Sequence, residues 1–211
     1  MTRSPGPGGG TTAVVPLRDG VSGKSRLAAV LDAGARRRLV RVLARHVVST
    51  LLAADGIDRV VVVTADPVFT RETLAGLSVE VLEQPADRPG LNAALEHARE
   101  TLAAGGGAGD SADGGAGVAA DGGAGVAADG GAGVAADGRG RLLVAHADLP
   151  ALTPEDVSAL LAERAPVVIA TDRYRSGTNL LLLPFEARVS PLSKGGKRGK
   201  PGLKREVRFR F

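Results

Sequence analysis

Residues 58–66 read Asp-Arg-Val-Val-Val-Val-Thr-Ala-Asp, and this stretch decides the fold class. The four consecutive valines, residues 60–63, are typical of a strand in a parallel sheet that is buried on both faces. The strand then runs into Thr64, Ala65 and Asp66, which the pattern places in a loop at its carboxyl end. Because such a strand needs helices on both sides of its sheet, the stretch predicts an α/β protein.

Strand-like and helix-like segments alternate on both sides of the valine run. Thr153 is the expected N-cap of one helix, with Pro154 in its first position. The order predicts one largely parallel sheet with helices on both faces, in which ligands bind beyond the carboxyl ends of the strands. The expected strands are 12–17, 60–63, 78–82, 141–145, 167–170 and 180–183. The expected helices are two within 25–51, separated by a break near residues 32–35, then 67–75, 91–102 and one from 154.

Residues 105–140 interrupt this pattern with a low-complexity segment. An octapeptide, Asp-Gly-Gly-Ala-Gly-Val-Ala-Ala, begins at Asp113, Asp121 and Asp129. Its few apolar side chains cannot offset the entropy lost when so many glycines are ordered, so we expect a flexible insertion. A calcium-binding β-roll is the alternative, but its repeats have a period of about nine residues, whereas this period is eight.

The composition excludes several classes of protein. The chain has no cysteine, so it holds neither disulfides nor cysteine-ligated metal sites. Its longest apolar runs fall far short of the roughly 20 residues of a membrane helix, and residues 1–10 lack the apolar core of a signal peptide. We therefore expect a cytoplasmic protein that does not span a membrane, and the sequence admits a homo-oligomer.

The basic charge of the chain is concentrated at one end. Residues 194–211 contain eight Lys/Arg and one Glu, so they account for more than the whole net charge of +4. The segment 188–211 has few apolar residues with which to fold, so we expect a disordered basic tail. A cationic patch binds polyanions only where a folded surface presents it, so we expect no nucleic-acid partner. A non-catalytic polyanion-binding protein that relies on this tail is the alternative.

The loop that follows the first expected strand is suited to binding an anion. It places Arg18, Lys24 and Arg26 around glycines, directly before a helix. Backbone N–H groups, the helix dipole and the cations would converge on a phosphate chain. Gly23-Lys24-Ser25 also resembles the end of a P-loop, but Arg18 stands where that pattern requires its first glycine. An ATP-dependent phosphotransferase and a solvated basic turn remain alternatives.

Asp148 follows the strand expected at 141–145 and precedes Leu149-Pro150. Its carboxylate should therefore project into the same crevice as the cationic loop. Polyphosphate chemistry needs an oxygen-ligated cation near the reacting phosphate, and an aspartate at a strand end supplies such a ligand. A strand-end aspartate that merely caps a loop or helix is the alternative.

Five segments, in this order, resemble the guanylyltransferases that activate 2-phospho-L-lactate or phosphoenolpyruvate in coenzyme F-420 biosynthesis. The resemblance extends from about residue 12 to 183, apart from the repeat insertion. Its segments are Val14-Val15-Pro16-Leu17 leading to Lys24-Ser25-Arg26-Leu27, residues 61–67, Gly90-Leu91-Asn92-Ala93-Ala94-Leu95, Ala147-Asp148-Leu149-Pro150 with 152–156, and Asp172-Arg173 with Gly177-Thr178-Asn179.

The resemblance implies a three-layer, Rossmann-like nucleotidyltransferase domain over residues 11–187, with Mg²⁺ as cofactor. The phosphate of a small three-carbon acid would attack the α-phosphorus of GTP and expel pyrophosphate. The Ala, Gly, Arg and Val bias indicates a GC-rich bacterial genome, and bacterial members of the family are expected to use phosphoenolpyruvate. The resemblance therefore favours phosphoenolpyruvate over 2-phospho-L-lactate. The implied catalytic residues are Lys24 and Asp148, the nucleotide-binding residues Arg18, Lys24, Arg26, Gly90 and Asn92, the substrate-binding residues Thr178 and Asn179, and the metal ligand Asp148.

Three of these assignments have structural alternatives. Arg26 could pair with an acid on its own helix, and Asn92 could be an N-cap or first-turn residue. Thr178 and Asn179 could simply begin a strand.

The sequence departs from the family pattern near its end. Past Pro191, the chain lacks the Gly/Ser-rich loop and the second aspartate motif of the family. We therefore expect weak binding of Mg²⁺ and substrate, and weak or no turnover.

Overall fold

The computed structural model of the chain describes residues 10–18, 29–105, 140–172, 177–185 and 204–208. Within these residues the chain forms seven strands and four helices. The strands are β1 (Thr11–Leu17), β2 (Ile57–Thr64), β3 (Glu80–Glu83), β4 (Arg141–Ala145), β5 (Val167–Thr171), β6 (Thr178–Pro184) and β7 (Lys204–Arg208). The helices are α1 (Ala33–Ala53), α2 (Pro67–Thr73), α3 (Leu91–Gly105) and α4 (Pro154–Leu161).

The seven strands form one sheet in the order β3-β2-β1-β4-β6-β5-β7. Strand β6 runs antiparallel to its neighbours β4 and β5, whereas all other pairs are parallel. The carboxyl ends of every strand except β6 therefore lie along one side of the sheet, which we call the carboxyl edge. The opposite side is the amino edge. The prediction of a mostly parallel sheet is confirmed.

Side chains of the central strands alternate between two hydrophobic cores. Val60 and Val62 pack in the core that includes residues of α1, α2 and α4. Val61 and Val63 point the other way, into the core that includes residues of α3. All four valines are at most 1% exposed, and burying each contributes roughly 1.5–3 kcal/mol. The predicted arrangement of helices on both faces of the sheet is therefore confirmed.

Local hydrogen bonds fix where the helices begin. The Thr153 hydroxyl accepts from the N–H of Asp156 at 3.2 Å, and the Asp156 carboxylate accepts from the N–H of Thr153 at 3.1 Å. This capping box confirms the predicted start of α4, and such caps contribute about 1 kcal/mol. Asp66 caps α2 in a similar way, accepting from the N–H of Phe69 at 3.0 Å. None of the helices described is long and apolar enough to cross a membrane.

The region between β1 and β2 differs in detail from the prediction of two helices. Helix α1 begins at Ala33, within the expected break, because the Asp32 carboxylate caps it by accepting from the N–H of Ala35 at 2.7 Å. Most of the first expected helix lies outside the described residues. The repeat insertion does too, since the described chain stops at Gly105 and resumes at Gly140.

Strand β7 differs from the expectation of a disordered tail over 188–211. It pairs in parallel with β5, in a register that runs from Val167 opposite Lys204 to Thr171 opposite Arg208. The physical reason is that an edge strand is held by backbone hydrogen bonds, which require no apolar composition. Composition was therefore a poor guide here. The other residues of this tail lie outside the described part of the chain.

Candidate active site

A cleft of about 340 Å³ opens at the carboxyl edge, where β1, β2 and β4 end. Three segments that the sequence placed after strands contribute to its walls: the end of β1, the connection from β3 to α3, and the residues after β4. Its apolar surface includes Val40 and Leu43 of α1, Val63 of β2 and Ala94 of α3. The structure thus brings the loops together as expected for a parallel sheet.

Arg18 directly follows β1, and its exposed side chain lines the cleft. The strand ends in Pro16 and Leu17, which lie opposite Val63 and Thr64 of β2 and fix where the chain leaves the sheet. The central strand therefore places the guanidinium of Arg18 at the cleft. The predicted phosphate-binding residues Lys24 and Arg26 lie outside the described residues.

The connection from β3 to α3 is folded around the side chain of Gln84. Its amide nitrogen donates to the carbonyl of Arg88 at 2.6 Å and to the carbonyl of Gly90 at 2.9 Å. Gly90 lines the cleft and has a φ of 104°, a conformation that favours glycine over residues with a Cβ. Its carbonyl also accepts from the N–H of Ala94 at 3.1 Å, which joins the loop to the start of α3.

Two further features define this side of the site. Asn92 lies exposed in the first turn of α3 and does not line the cleft, unlike Gly90. Arg88 braces the loop against α3, because its Nη1 contacts the Glu100 carboxylate at 2.8 Å. This hydrogen bond lowers the pKa of Glu100 and raises the pKa of Arg88. Both side chains are partly exposed, so the pair positions the loop more than it stabilises the fold.

The residues after β4 place a carboxylate in the same cleft as Arg18. Asp148 is exposed and lines the cleft together with His146. The backbone N–H of His146 donates to the carbonyl of Asn179 at 3.2 Å, which joins this turn to β6. Asp148 therefore lies in a segment that continues from β4 and is hydrogen-bonded to β6.

Thr178 and Asn179 begin β6, beside the end of β4. Both are half-buried, and Thr178 pairs with Thr171 of β5. Neither residue lines the cleft, but the contact of Asn179 with His146 places them next to it. Because β6 is antiparallel, its amino end, rather than its carboxyl end, lies at the carboxyl edge.

The side chains that line the cleft fit a metal cation that is bound partly by the protein and partly by the phosphates of a ligand. Within the described ranges, no three His, Asp or Glu side chains are grouped as a metal site. Magnesium usually takes one or two protein carboxylates and completes its shell with water and substrate phosphates. Asp148 supplies one such carboxylate in the cleft that Arg18 also lines, so the donor set suits Mg²⁺ that accompanies a polyphosphate.

Sequence reasoning did not assign a role to Gln84. It belongs to a predicted polar loop, but its role depends on which carbonyls its amide reaches, and no motif encodes this. The apolar surface formed by Val40 and Leu43 was not predicted as part of the site either. Their helical spacing indicated only that they face the core.

The chain is similar to known nucleotidyltransferases along most of its length. The model of the MobA-like NTP transferase domain matches residues 37–205. Phosphoenolpyruvate guanylyltransferase of Rubrobacter xylanophilus is 36% identical over 210 residues, which cover 94% of this chain and 82% of that protein. Phosphoenolpyruvate guanylyltransferase of Sphaerobacter thermophilus is 33% identical over 189 residues, which cover 88% of this chain and 74% of that protein.

A solved structure supports the fold assignment independently. The crystal structure of a candidate nucleotide-diphospho-sugar transferase from Desulfovibrio desulfuricans G20 has a TM-score of 0.61 to this chain at 13% identity. The match covers 94% of this chain and 79% of that one. The predicted nucleotidyltransferase fold is confirmed, and the relatives confirm the resemblance seen in the sequence. The chain belongs to the phosphoenolpyruvate guanylyltransferase family, within the MobA-like NTP transferases.

Proposed function

We propose that this chain transfers GMP from GTP to phosphoenolpyruvate and releases pyrophosphate. The product is enolpyruvoyl-diphospho-guanosine, a precursor for coenzyme F-420, and the reaction belongs in the cytoplasm. The observation that carries the proposal is that Arg18 and Asp148 line one cleft at the carboxyl edge. The relatives of the chain are named phosphoenolpyruvate guanylyltransferases.

The proposed nucleotide site lies between the end of β1 and the start of α3. Arg18, with Lys24 and Arg26 of the same loop, would hold the triphosphate. Gly90 and Asn92 would lie along the nucleoside, Gly90 from the cleft wall and Asn92 from its rim. Gln84 supports this side by holding the carbonyl of Gly90, so the backbone is set before the nucleotide binds.

The proposed acid site lies at the junction of β4 and β6. Thr178 and Asn179 would contact the phosphorylated acid, next to the turn that carries Asp148. A phosphate oxygen of the acid would attack the α-phosphorus of GTP while the bond from that phosphorus to the β-phosphate oxygen breaks. The nucleophile is already an anion, so no general base is required.

Asp148 is the residue that we propose to hold Mg²⁺. When bound, the cation would neutralise charge on the phosphates as pyrophosphate leaves. The protein residues would supply position and charge: Arg18 and Asp148 line the same cleft, and Lys24 follows Arg18 in the sequence. Lys24 and Asp148 are accordingly the proposed catalytic residues, and no covalent enzyme intermediate is needed.

Mass spectrometry of the products tests the proposal. The full chain is incubated with GTP and Mg²⁺, and with either phosphoenolpyruvate or 2-phospho-L-lactate, at protein concentrations above that of GTP so that slow transfer is detected. We expect guanylated phosphoenolpyruvate and one pyrophosphate per product. If guanylated 2-phospho-L-lactate forms instead, 2-phospho-L-lactate is the substrate. Release of inorganic phosphate without guanylation of either acid indicates a phosphotransferase and contradicts the proposal.

A further inference from the structure

Arg36 lies in the first turn of α1, next to the cleft rather than among the residues that line it. It precedes Val40 by four residues and Leu43 by seven, and this spacing places all three on one helical stripe. Val40 and Leu43 both line the cleft. Farther along the same helix, Ala44, Val47, Val48 and Leu51 are buried in the core.

The direction of α1 puts Arg36 at the carboxyl edge. The helix ends at Ala53, and β2 begins at Ile57 on the amino edge, so the last turn of α1 lies there. Its first turn, with Arg36, therefore lies near the level at which β1 ends and the cleft opens. The first turn of a long helix also adds a favourable field for an anion.

The guanidinium of Arg36 is not fully satisfied by the protein. Its Nε is buried and has no hydrogen-bond partner among the described residues. No carboxylate of those residues forms an ion pair with it, whereas Arg41 contacts Glu72 at 2.9 Å and Arg37 contacts Asp66 at 3.8 Å. Arg36 is half-buried, so its unpartnered Nε–H is a donor that a bound anion can accept from.

We propose that Arg36 binds the triphosphate of the nucleotide from the α1 side of the cleft. This inference rests on the proposed function and adds a residue to its site. The acid is a poorer partner, because α1 contacts β1 and β2, whereas Thr178 begins β6, on the far side of β4. The nucleoside is a poorer partner too, because Gly90, which we propose to lie along it, directly precedes α3, and α3 packs in the opposite core.

Calorimetric titration of GTP, guanosine and phosphoenolpyruvate tests the inference. The variants are Arg36→Ala and Arg36→Gln, and the control is Arg38→Ala, which removes an exposed arginine from the same turn. We expect both Arg36 variants to raise the Kd for GTP by about 10- to 100-fold, as loss of a charge-assisted contact to phosphate would. The Kd for guanosine and for phosphoenolpyruvate should change less than about threefold, as should all values for the control.

The outcomes separate this inference from the proposed function. Wild-type protein that binds GTP, with unchanged affinity in both Arg36 variants, overturns the inference alone. An equal loss for GTP and guanosine, or a loss confined to phosphoenolpyruvate, also overturns it. Wild-type protein that binds no GTP overturns both proposals. Thermal unfolding provides the structural readout: a Tm that does not fall in Arg36→Gln, together with weaker GTP binding, supports the contact.

Discussion

The two edges of the sheet use their polar residues differently. At the carboxyl edge, Arg18, Gln84, His146 and Asp148 line a cleft that is open to ligands. The Gln84 amide donates to the carbonyl of Gly90, and the backbone N–H of His146 donates to the carbonyl of Asn179, so these two connections are held by hydrogen bonds. The fold therefore places the side chains of Arg18 and Asp148 where a ligand in the cleft can reach them.

At the amino edge, the corresponding polar groups bond to the protein itself. Arg141 begins β4, and its guanidinium donates to the carbonyl of Leu161 at 2.6 Å and to the carbonyl of Glu163 at 3.3 Å. These carbonyls close the end of α4, and burial lowers the pKa of Arg141. The comparison teaches that substitutions at one edge should alter ligand binding, and those at the other should alter stability.

The largest effect is expected for Asp148→Asn. Loss of the carboxylate that we propose as the metal ligand should lower Mg²⁺-dependent turnover by about 100-fold or more, because charge on the phosphates is no longer neutralised. The Tm should change little, since Asp148 is exposed. The rate of pyrophosphate release at protein concentrations above that of GTP measures the effect. Asp58→Asn, an exposed aspartate near the amino edge, is the matched control, and equal rates in both variants would contradict the contrast.

A smaller effect is expected for Gln84→Glu, which keeps the shape of the side chain but removes the two amide donors. Freed from Gln84, the Gly90 loop should lose its preset conformation, and KM for GTP should rise about tenfold at little cost in kcat. Kinetics at varied GTP concentration test this. The reverse exchange at the neighbouring exposed position, Glu83→Gln, should leave KM within about twofold; similar KM changes in the two variants would exclude a specific role for Gln84.

Arg141→Met should change stability with little effect on ligand binding. Two carbonyls at the end of α4 lose their donor, so the free energy of unfolding should fall by about 1–3 kcal/mol and the Tm by roughly 3–10 °C. Arg59→Met breaks only an exposed ion pair with Glu80 and should cost about 0.5 kcal/mol or less. Thermal unfolding and the Kd for GTP are measured together. A large rise in Kd for Arg141→Met would contradict the division between edges.

The smallest effect is expected when residues 106–139 are replaced by a short Gly/Ser linker. Gly105 ends α3 and Gly140 precedes β4, so this connection joins the sheet at the amino edge, away from the cleft. Values of kcat and KM should therefore stay within about twofold of those of the full chain. A tenfold loss of activity in a variant with unchanged Tm would show that the insertion contributes to the site.

The fold was predictable where local pattern and tertiary structure agree. The valine run at 60–63 and the Thr153 cap gave both the type and the approximate position of β2 and α4. Strand β7 was not predictable, because its pairing depends on the free edge of β5 and not on its own composition. The start of α1 was shifted because Asp32, within an apparent break, serves as a cap.

The site was predictable to the extent that strand ends determine it. Arg18, Gly90 and Asp148 follow strands or precede helices, and the carboxyl-end rule brings them to one cleft. Residues that enter the site from a helix side, such as Val40 and Leu43, carry no such signal. Their place depends on how α1 lies across the sheet, which is a property of packing. For the same reason, the proposed roles of Arg36 and Gln84 could be inferred only from the structure and not from the sequence.

The connection between α3 and β4 also bears on how this gene can vary. Its ends are fixed by regular structure, and the three octapeptide copies between them are identical in sequence, so the length of this connection changes in steps of eight residues when a copy is gained or lost. For a flexible chain, adding one copy changes the loop-closure free energy by only about 0.2 kcal/mol. On this estimate, a gain or loss of one copy would leave the free energy of folding almost unchanged.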